Sequence, residues 1–118
     1  MTEKYLINCQ DGFNNPERAT IAFILAVSAS KTAQTAVFVT SDASALCVAG
    51  AADNVQAEGY EKLSLLMQDF IGNGGSIWLC PACAKAKGIS ANDLMAGVEI
   101  AGAPRTMAFL QQGARLLA

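Results

Sequence analysis

Histidine is absent from this chain of 118 residues. Without an imidazole, the cysteine–histidine nucleophilic pair of papain-like enzymes cannot form. A zinc site would also lack its usual nitrogen ligand. Any activated thiol in this protein must therefore be stabilised by backbone amides, a helix dipole or lysine side chains.

Charged residues are scarce. They make up 15% of the chain, against about 25% in a typical globular protein. The net charge is −2 and the eight Lys and Arg residues are scattered, so no basic stripe is available to neutralise phosphates, and we do not expect nucleic acid as a partner. Apolar residues reach 53%. A lone small domain can hardly bury so much apolar surface, which predicts a homo-oligomer.

Long apolar runs and export signals are lacking as well. The longest strongly apolar run, residues 19–29, is about half of the ~20 residues that a membrane-spanning helix needs. The opening MTEKYLINCQDG has no apolar region or cleavage site of a signal peptide. We therefore expect a cytoplasmic protein without a membrane span, whose four cysteines are reduced thiols used for chemistry or metal. The length predicts one domain, residues 1–118.

Apolar runs alternate with helical patterns along the chain. We predict strands at residues 4–9, 35–40, 76–79, 98–100 and 114–117. We predict helices at residues 16–30, 61–71, 82–87 and 104–112, with shorter helical turns at residues 41–47 and 90–93. The fully apolar second strand is typical of a parallel sheet buried on both faces. The expected fold is therefore a three-layer α/β domain, with a mostly parallel sheet of about five strands and helices on both faces.

The segment SIWLCPACAKAKG contains Cys80 and Cys83 at the junction of a predicted strand and a short helix. If Cys80 is the N-cap residue, its thiol faces the free N–H groups of the first turn and the positive end of the helix dipole. Such a site stabilises a thiolate, the nucleophile for sulfur electrophiles. Lys85 and Lys87 add positive charge nearby.

The roles of the other cysteines remain open at this point. Cys83 is either a thiol that resolves an oxidised Cys80 by forming a disulfide or a packing residue. A zinc site would need Cys9 and Cys47 as its missing half, and we interpret both as packing residues, so no metal or cofactor is predicted. A thioredoxin-like motif is disfavoured because the pair follows the third strand and the only later proline, Pro104, starts a helix.

Three stretches resemble the DsrE/DsrF-like family, which includes YchN-like and TusD-like sulfur-relay proteins. They are the cysteine segment SIWLCPACAKAKGI, the amphipathic helix ending in glycines before it, and the tail GVEIAGAPRTMAFLQQGARLLA. The resemblance implies a flavodoxin-like or Rossmann-like fold assembled as trimers or hexamers. It also implies cytoplasmic sulfur relay, in which a cysteine at a strand end accepts sulfane sulfur as a persulfide. That role maps onto Cys80.

The leading hypothesis is therefore a sulfur-relay protein with Cys80 as the persulfide carrier and Cys83 as an auxiliary thiol. Sulfur donor and acceptor proteins would be its partners. Two alternatives remain. One is an oligomeric binding protein that holds a small ligand in a crevice near Asp11 and Cys80, since ligands of such sheets bind beyond the strands' carboxyl ends. The other is a thiol–disulfide oxidoreductase that uses Cys80 and Cys83.

Overall fold

The computed structural model describes residues 3–117, along which strands and helices alternate. Residues 1, 2 and 118 of the predicted domain lie outside this range. The strands are β1 (Lys4–Cys9), β2 (Gln34–Val39), β3 (Ser76–Leu79), β4 (Val98–Ile100) and β5 (Arg115–Leu117). The α-helices are α1 (Pro16–Ser30), α2 (Leu63–Gly72), α3 (Pro81–Ala86) and α4 (Ala103–Gln111). Two 3₁₀ segments lie at Ser41–Cys47 and Ala91–Asp93.

The strands form one parallel sheet in the order β4, β3, β2, β1, β5. From β1 to β4 the chain steps in one direction across the sheet, and it then returns to the far side of β1 with β5. Because parallel crossovers are right-handed, this reversal puts α4 on the opposite face from α1 and α2. The predicted three-layer α/β fold is confirmed. No helix within residues 3–117 has the length and apolar character to cross a bilayer.

Local signals in the sequence explain most element boundaries. Helix α1 begins where predicted, because the Asn15 side chain accepts the Arg18 N–H at 3.2 Å and proline occupies the first helical position. Helix α2 begins at Leu63, two residues later than predicted. The reason is tertiary: Lys62 has an extended ψ of 133°, and the Leu63 N–H donates to the Val55 carbonyl at 3.0 Å.

Two apolar cores flank the sheet. The larger lies under α1 and α2, where the fully buried rings of Phe23 and Phe70 meet edge to face at 6.1 Å. The smaller lies under α4, where Phe109 packs edge to face on Trp78 at 5.4 Å. Burying aromatic side chains supplies much of the stability of such layers.

Helix α1 is apolar on its outer side as well. Ile21, Ile24 and Leu25 are 40%, 39% and 42% exposed. Their i, i+3, i+4 spacing places them on one stripe, which we call the outer α1 face. This face contains part of the apolar excess from which the sequence predicted a homo-oligomer.

The carboxyl ends of β1 to β4 are level. Register pairs Cys9 with Val39, Val39 with Leu79, and Leu79 with Ile100. The loops that follow these strands therefore start side by side. Gly12, in the loop after β1, lies directly against the backbone of the segment that follows β2.

We expect Gly12→Ala to destabilise the protein by about 1–3 kcal/mol, because the new methyl group overlaps the Asp42 carbonyl, which cannot move without its backbone. Urea unfolding measures the change. Gly72→Ala is the matched control: its added Cβ has no neighbour within 4 Å, and alanine favours the end of α2. Equal stability of the two variants would contradict the close contact between Gly12 and the Asp42 backbone.

Candidate functional site

Cys80 lies at the carboxyl edge of the sheet, directly after β3. It is the N-cap residue of α3, as predicted. Its N–H donates to the Val39 carbonyl at 3.0 Å, and its carbonyl accepts the Ala84 N–H at 2.9 Å. These two backbone bonds fix the turn from strand to helix and leave the Cys80 side chain half-buried.

The Cys80 thiol does not cap the helix. Within the described chain, its side chain makes no capping hydrogen bond to the first turn of α3. Sulfur is a weaker acceptor than the oxygen of serine or aspartate, and the backbone bonds already hold the turn. The expectation that first-turn amides bind the Cys80 sulfur is therefore wrong for this conformation.

Cys83 receives the backbone amide instead, and from a different element. The Ser41 N–H donates to Cys83 Sγ at 3.3 Å. Ser41 follows the end of β2 and has a φ of +54°, in the left-handed region that residues other than glycine rarely adopt. This conformation brings an amide from the loop after β2 to a sulfur in the helix after β3.

The environment of Cys83 favours its thiolate. The Ser41 hydrogen bond is the main cause that lowers the pKa of Cys83 below its usual range, while burial opposes it. Hydrogen bonding from the Cys80 and Ser44 side chains and the positive charge of Lys87 act in the same direction as Ser41. Of these groups, only Lys87 was predicted to stabilise a thiolate, and the prediction was for Cys80.

Ser44 contributes a buried hydroxyl beside this sulfur. The residue is 0% exposed, and its Oγ makes no hydrogen bond of ordinary length and angle to any described residue. It nevertheless lies near enough to Cys83 to lower that thiol's pKa. The Ser44 hydroxyl is therefore a donor close to Cys83 Sγ that has no formed hydrogen bond. A buried hydroxyl without a partner is costly, and a thiolate on Cys83 would supply its acceptor.

Lys87 connects the end of α3 to the segment after β2. Its Nζ lies 4.0 Å from Asp42 Oδ1, and both side chains are exposed, so the ion pair is weak. The sequence placed the charge of Lys85 and Lys87 beside Cys80. In the structure, the charge of Lys87 helps to lower the pKa of Cys83.

Cys9 and Cys47 are core residues, 2% and 0% exposed. Burial raises the pKa of each to about 12. The Cys9 Sγ donates weakly to the Asp11 carbonyl at 3.6 Å. No cluster of three or more cysteine or carboxylate side chains able to hold a metal occurs within residues 3–117.

A cavity of about 350 Å³ lies between the end of β1 and α1. Asp11 and Arg18 line it, and Arg18 Nη1 lies 3.9 Å from Asp11 Oδ2. Neither Cys80 nor Cys83 belongs to its wall. The ligand-binding alternative placed Asp11 and Cys80 in one crevice, but only Asp11 lines this cavity.

Ser44, like Ser41, is a site residue to which the sequence assigns no role. Local sequence patterns do not connect Ser44 with Cys83, because the two residues are 39 positions apart. The signal that could reveal it is the predicted sheet, because segments after neighbouring parallel strands share an edge. That placement brings the residues after β2 next to the cysteine helix.

We expect the protein to lose stability at alkaline pH. Free thiols titrate near 9.0, whereas Cys9 and Cys47 in the folded state titrate at about 12. Between these values the unfolded chain has released protons that the folded chain retains, so the free energy of unfolding falls as pH rises, by up to about 1.4 kcal/mol per pH unit for each thiol.

Urea unfolding between about pH 8 and pH 11 measures this slope. Cys47→Ala should make it shallower, because one of the two raised pKa values is removed. Cys83→Ala is the control: because the pKa of Cys83 is lowered in the folded state, its own contribution has the opposite sign, and removing it should not make the fall shallower. If Cys47→Ala has the same dependence of unfolding free energy on pH as wild type, the raised pKa of the buried Cys47 thiol is contradicted.

Comparisons with known proteins agree with this architecture. The sequence model of the DsrE/DsrF-like family matches residues 3–118. The uncharacterized protein MJ0760 of Methanocaldococcus jannaschii is 32% identical over 111 residues, which cover 93% of this chain. This chain spans only 40% of that curated relative's length.

Two solved structures share the fold. The YchN protein from E. coli has a TM-score of 0.73 and 19% identity, with 99% of this chain and 100% of that chain covered. MTH1491 from Methanobacterium thermoautotrophicum, a protein of unknown function, has a TM-score of 0.70 and 14% identity, with 98% and 97% covered. With a family match over nearly the whole sequence and a five-stranded parallel sheet in the same arrangement, the chain belongs to the DsrE/DsrF-like family.

Proposed function

We propose that this protein is a sulfur-relay protein in which Cys80 accepts sulfane sulfur from a persulfide donor and passes it to an acceptor thiol. Attack of the Cys80 sulfur on the donor's outer sulfur forms Cys80–Sγ–SH and releases the donor thiolate. Attack by the acceptor thiolate on that same outer sulfur completes the relay. Membership in the DsrE/DsrF-like family supports this chemistry.

The observation that carries the proposal is the pair of half-buried thiols at the carboxyl edge of the sheet. Cys80 lies next to Cys83 in the first turn of α3, and the surroundings of Cys83 favour a negative charge. A proton can therefore move from Cys80 to Cys83 as Cys80 attacks. The other two cysteines are sealed in the core and have raised pKa values, so they are poor nucleophiles.

Thiol–disulfide exchange is the second candidate function. The specific observation in its favour is the lowered pKa of Cys83 in a C-x-x-C pair, a pattern typical of disulfide oxidoreductases. In that reaction Cys83 and Cys80 would close a disulfide while reducing one in a substrate. The cysteines would then alternate between dithiol and disulfide without carrying sulfur.

We place the protein in the cytoplasm and treat residues 3–117 as one domain. All four cysteines are free thiols, as a reducing compartment requires.

We also propose a trimer or hexamer built through the outer α1 face. Three large apolar side chains about 40% exposed on one helix stripe favour burial against another copy of the chain.

Persulfide loading tests the role of Cys80. After anaerobic incubation with glutathione persulfide, Cys83→Ser should gain the mass of one sulfur atom, because Cys80 remains as the accessible thiol. Cys80→Ser should gain none. Intact mass spectrometry reads both, and the double variant controls for loading at the buried thiols. A sulfur atom retained by Cys80→Ser would refute Cys80 as the carrier.

Light scattering coupled to gel filtration tests the assembly. Wild type should elute with three or six times the chain mass of 12.3 kDa. Ile24→Glu should shift to a smaller species, because a carboxylate on the outer α1 face opposes its burial. Gln68→Glu adds the same charge on the exposed side of α2 and should leave the mass unchanged. A monomeric wild type would refute the proposed assembly.

A further inference from the structure

We propose that the thiol pair has a second activity: Cys83 discharges the persulfide on Cys80 by expelling its outer sulfur as hydrosulfide and closing a Cys80–Cys83 disulfide. The inference rests on the proposed relay function and extends it. The substrate is the protein's own persulfide, and the product is inorganic sulfide. The relay would then have two outcomes, transfer to an acceptor thiol or release as sulfide.

The two sulfurs are within reach of each other. Only two residues separate Cys80, the N-cap of α3, from Cys83 in its first turn, and the Cys80 side chain is near enough to help lower the pKa of Cys83. An intramolecular nucleophile held next to its target reacts far faster than one in solution. Neither Cys9 nor Cys47 competes with Cys83 for the persulfide, because both are buried in the larger core.

The surroundings of Cys83 hold the attacking thiolate. The Ser41 N–H donates to Cys83 Sγ at 3.3 Å from a backbone in the left-handed conformation. The Ser44 hydroxyl faces the same sulfur from a position that is 0% exposed, and its Oγ has no hydrogen-bond partner in the described part of the chain. A buried donor without an acceptor beside a sulfur indicates a site shaped for the anion. Lys87 adds a positive charge.

The discharge step is balanced without an external oxidant. The donor thiolate released on loading takes up the proton that Cys83 accepted from Cys80. The Cys83 thiolate then attacks Sγ of Cys80–Sγ–SH, the Sγ–SH bond breaks, and HS⁻ leaves with the bonding electron pair. The sulfane sulfur is reduced by two electrons, and the two cysteine sulfurs together lose two. A second turnover requires a dithiol reductant to reopen the disulfide.

The outer sulfur can depart into solvent. Pro81 and Ala82, which lie between the two cysteines, are exposed, and so is Ser41. Hydrosulfide is a weaker base than a cysteine thiolate, and weaker bases leave faster in thiol exchange. Attack on the inner sulfur therefore leads to products, whereas attack on the outer sulfur only moves the persulfide from Cys80 to Cys83.

Single-turnover sulfide release tests the inference. Wild type is loaded anaerobically with glutathione persulfide, separated from excess reagent, and followed by intact mass and by trapping of sulfide with monobromobimane. The loaded form should convert to a species two hydrogen atoms lighter than the reduced protein, with one sulfide released per chain. Peptide mapping should find the disulfide between Cys80 and Cys83, and dithiothreitol should restore the starting mass.

The outcomes separate this inference from the relay function. Cys83→Ser should load and then keep its sulfur without releasing sulfide. If wild type keeps its sulfur as long as Cys83→Ser does, the discharge is refuted while the relay stands. If neither wild type nor Cys83→Ser takes up sulfur, the relay itself is refuted.

Ser44→Ala tests the positioning role of the buried hydroxyl. Sulfide release should slow about tenfold near neutral pH, the effect of losing one hydrogen bond to a charged group. The rate profile should also move to higher pH. Stability should not fall, because the hydroxyl has no partner to lose within residues 3–117. Ser28→Ala, an exposed serine on α1, is the matched control. A rate profile in Ser44→Ala that matches the control would refute the role of Ser44.

Discussion

The hydrogen bond from the Ser41 amide to Cys83 Sγ connects the ends of two neighbouring strands. It exists because β2 and β3 pair in a register that brings Val39 level with Leu79, so that the residues after them emerge together. The left-handed backbone of Ser41 then directs its amide across the gap. In a protein without histidine, this backbone donor does for a thiol what an imidazole does elsewhere: it stabilises the charged form.

Neighbouring contacts depend on the same placement. The turn that begins at Ser41 puts the Ser44 hydroxyl in the interior beside the sulfur, and it brings Asp42 toward Lys87. Gly12 supports the arrangement from the other side, since the loop after β1 packs directly on the Asp42 backbone. The chemistry at Cys83 thus rests on three strand ends, although its sequence motif spans four residues of one segment.

Much of this fold could be predicted from local patterns. The strands at Lys4–Cys9, Ser76–Leu79 and Val98–Ile100 have the predicted bounds, because short apolar runs between turn residues leave little freedom. The start of α2 was missed because a contact between Leu63 and Val55 decides it. The contact between Ser41 and Cys83 was missed for the same reason. The C-x-x-C motif favours its first cysteine through the helix end, whereas the deciding amide belongs to a serine 42 residues earlier, in a backbone conformation that no local pattern predicts.

The reversal of strand order also bears on how the chain folds. Strand β1 pairs with β2 and β2 pairs with β3, so the strands next to the site pair in the order of the sequence. Strand β5 pairs Arg115 with Tyr5, near opposite limits of the described chain. Closing so long a loop costs more chain entropy than closing the short ones. The segment that holds both half-buried cysteines can therefore assemble from early, sequence-local pairings, and the remote edge strand completes the sheet last.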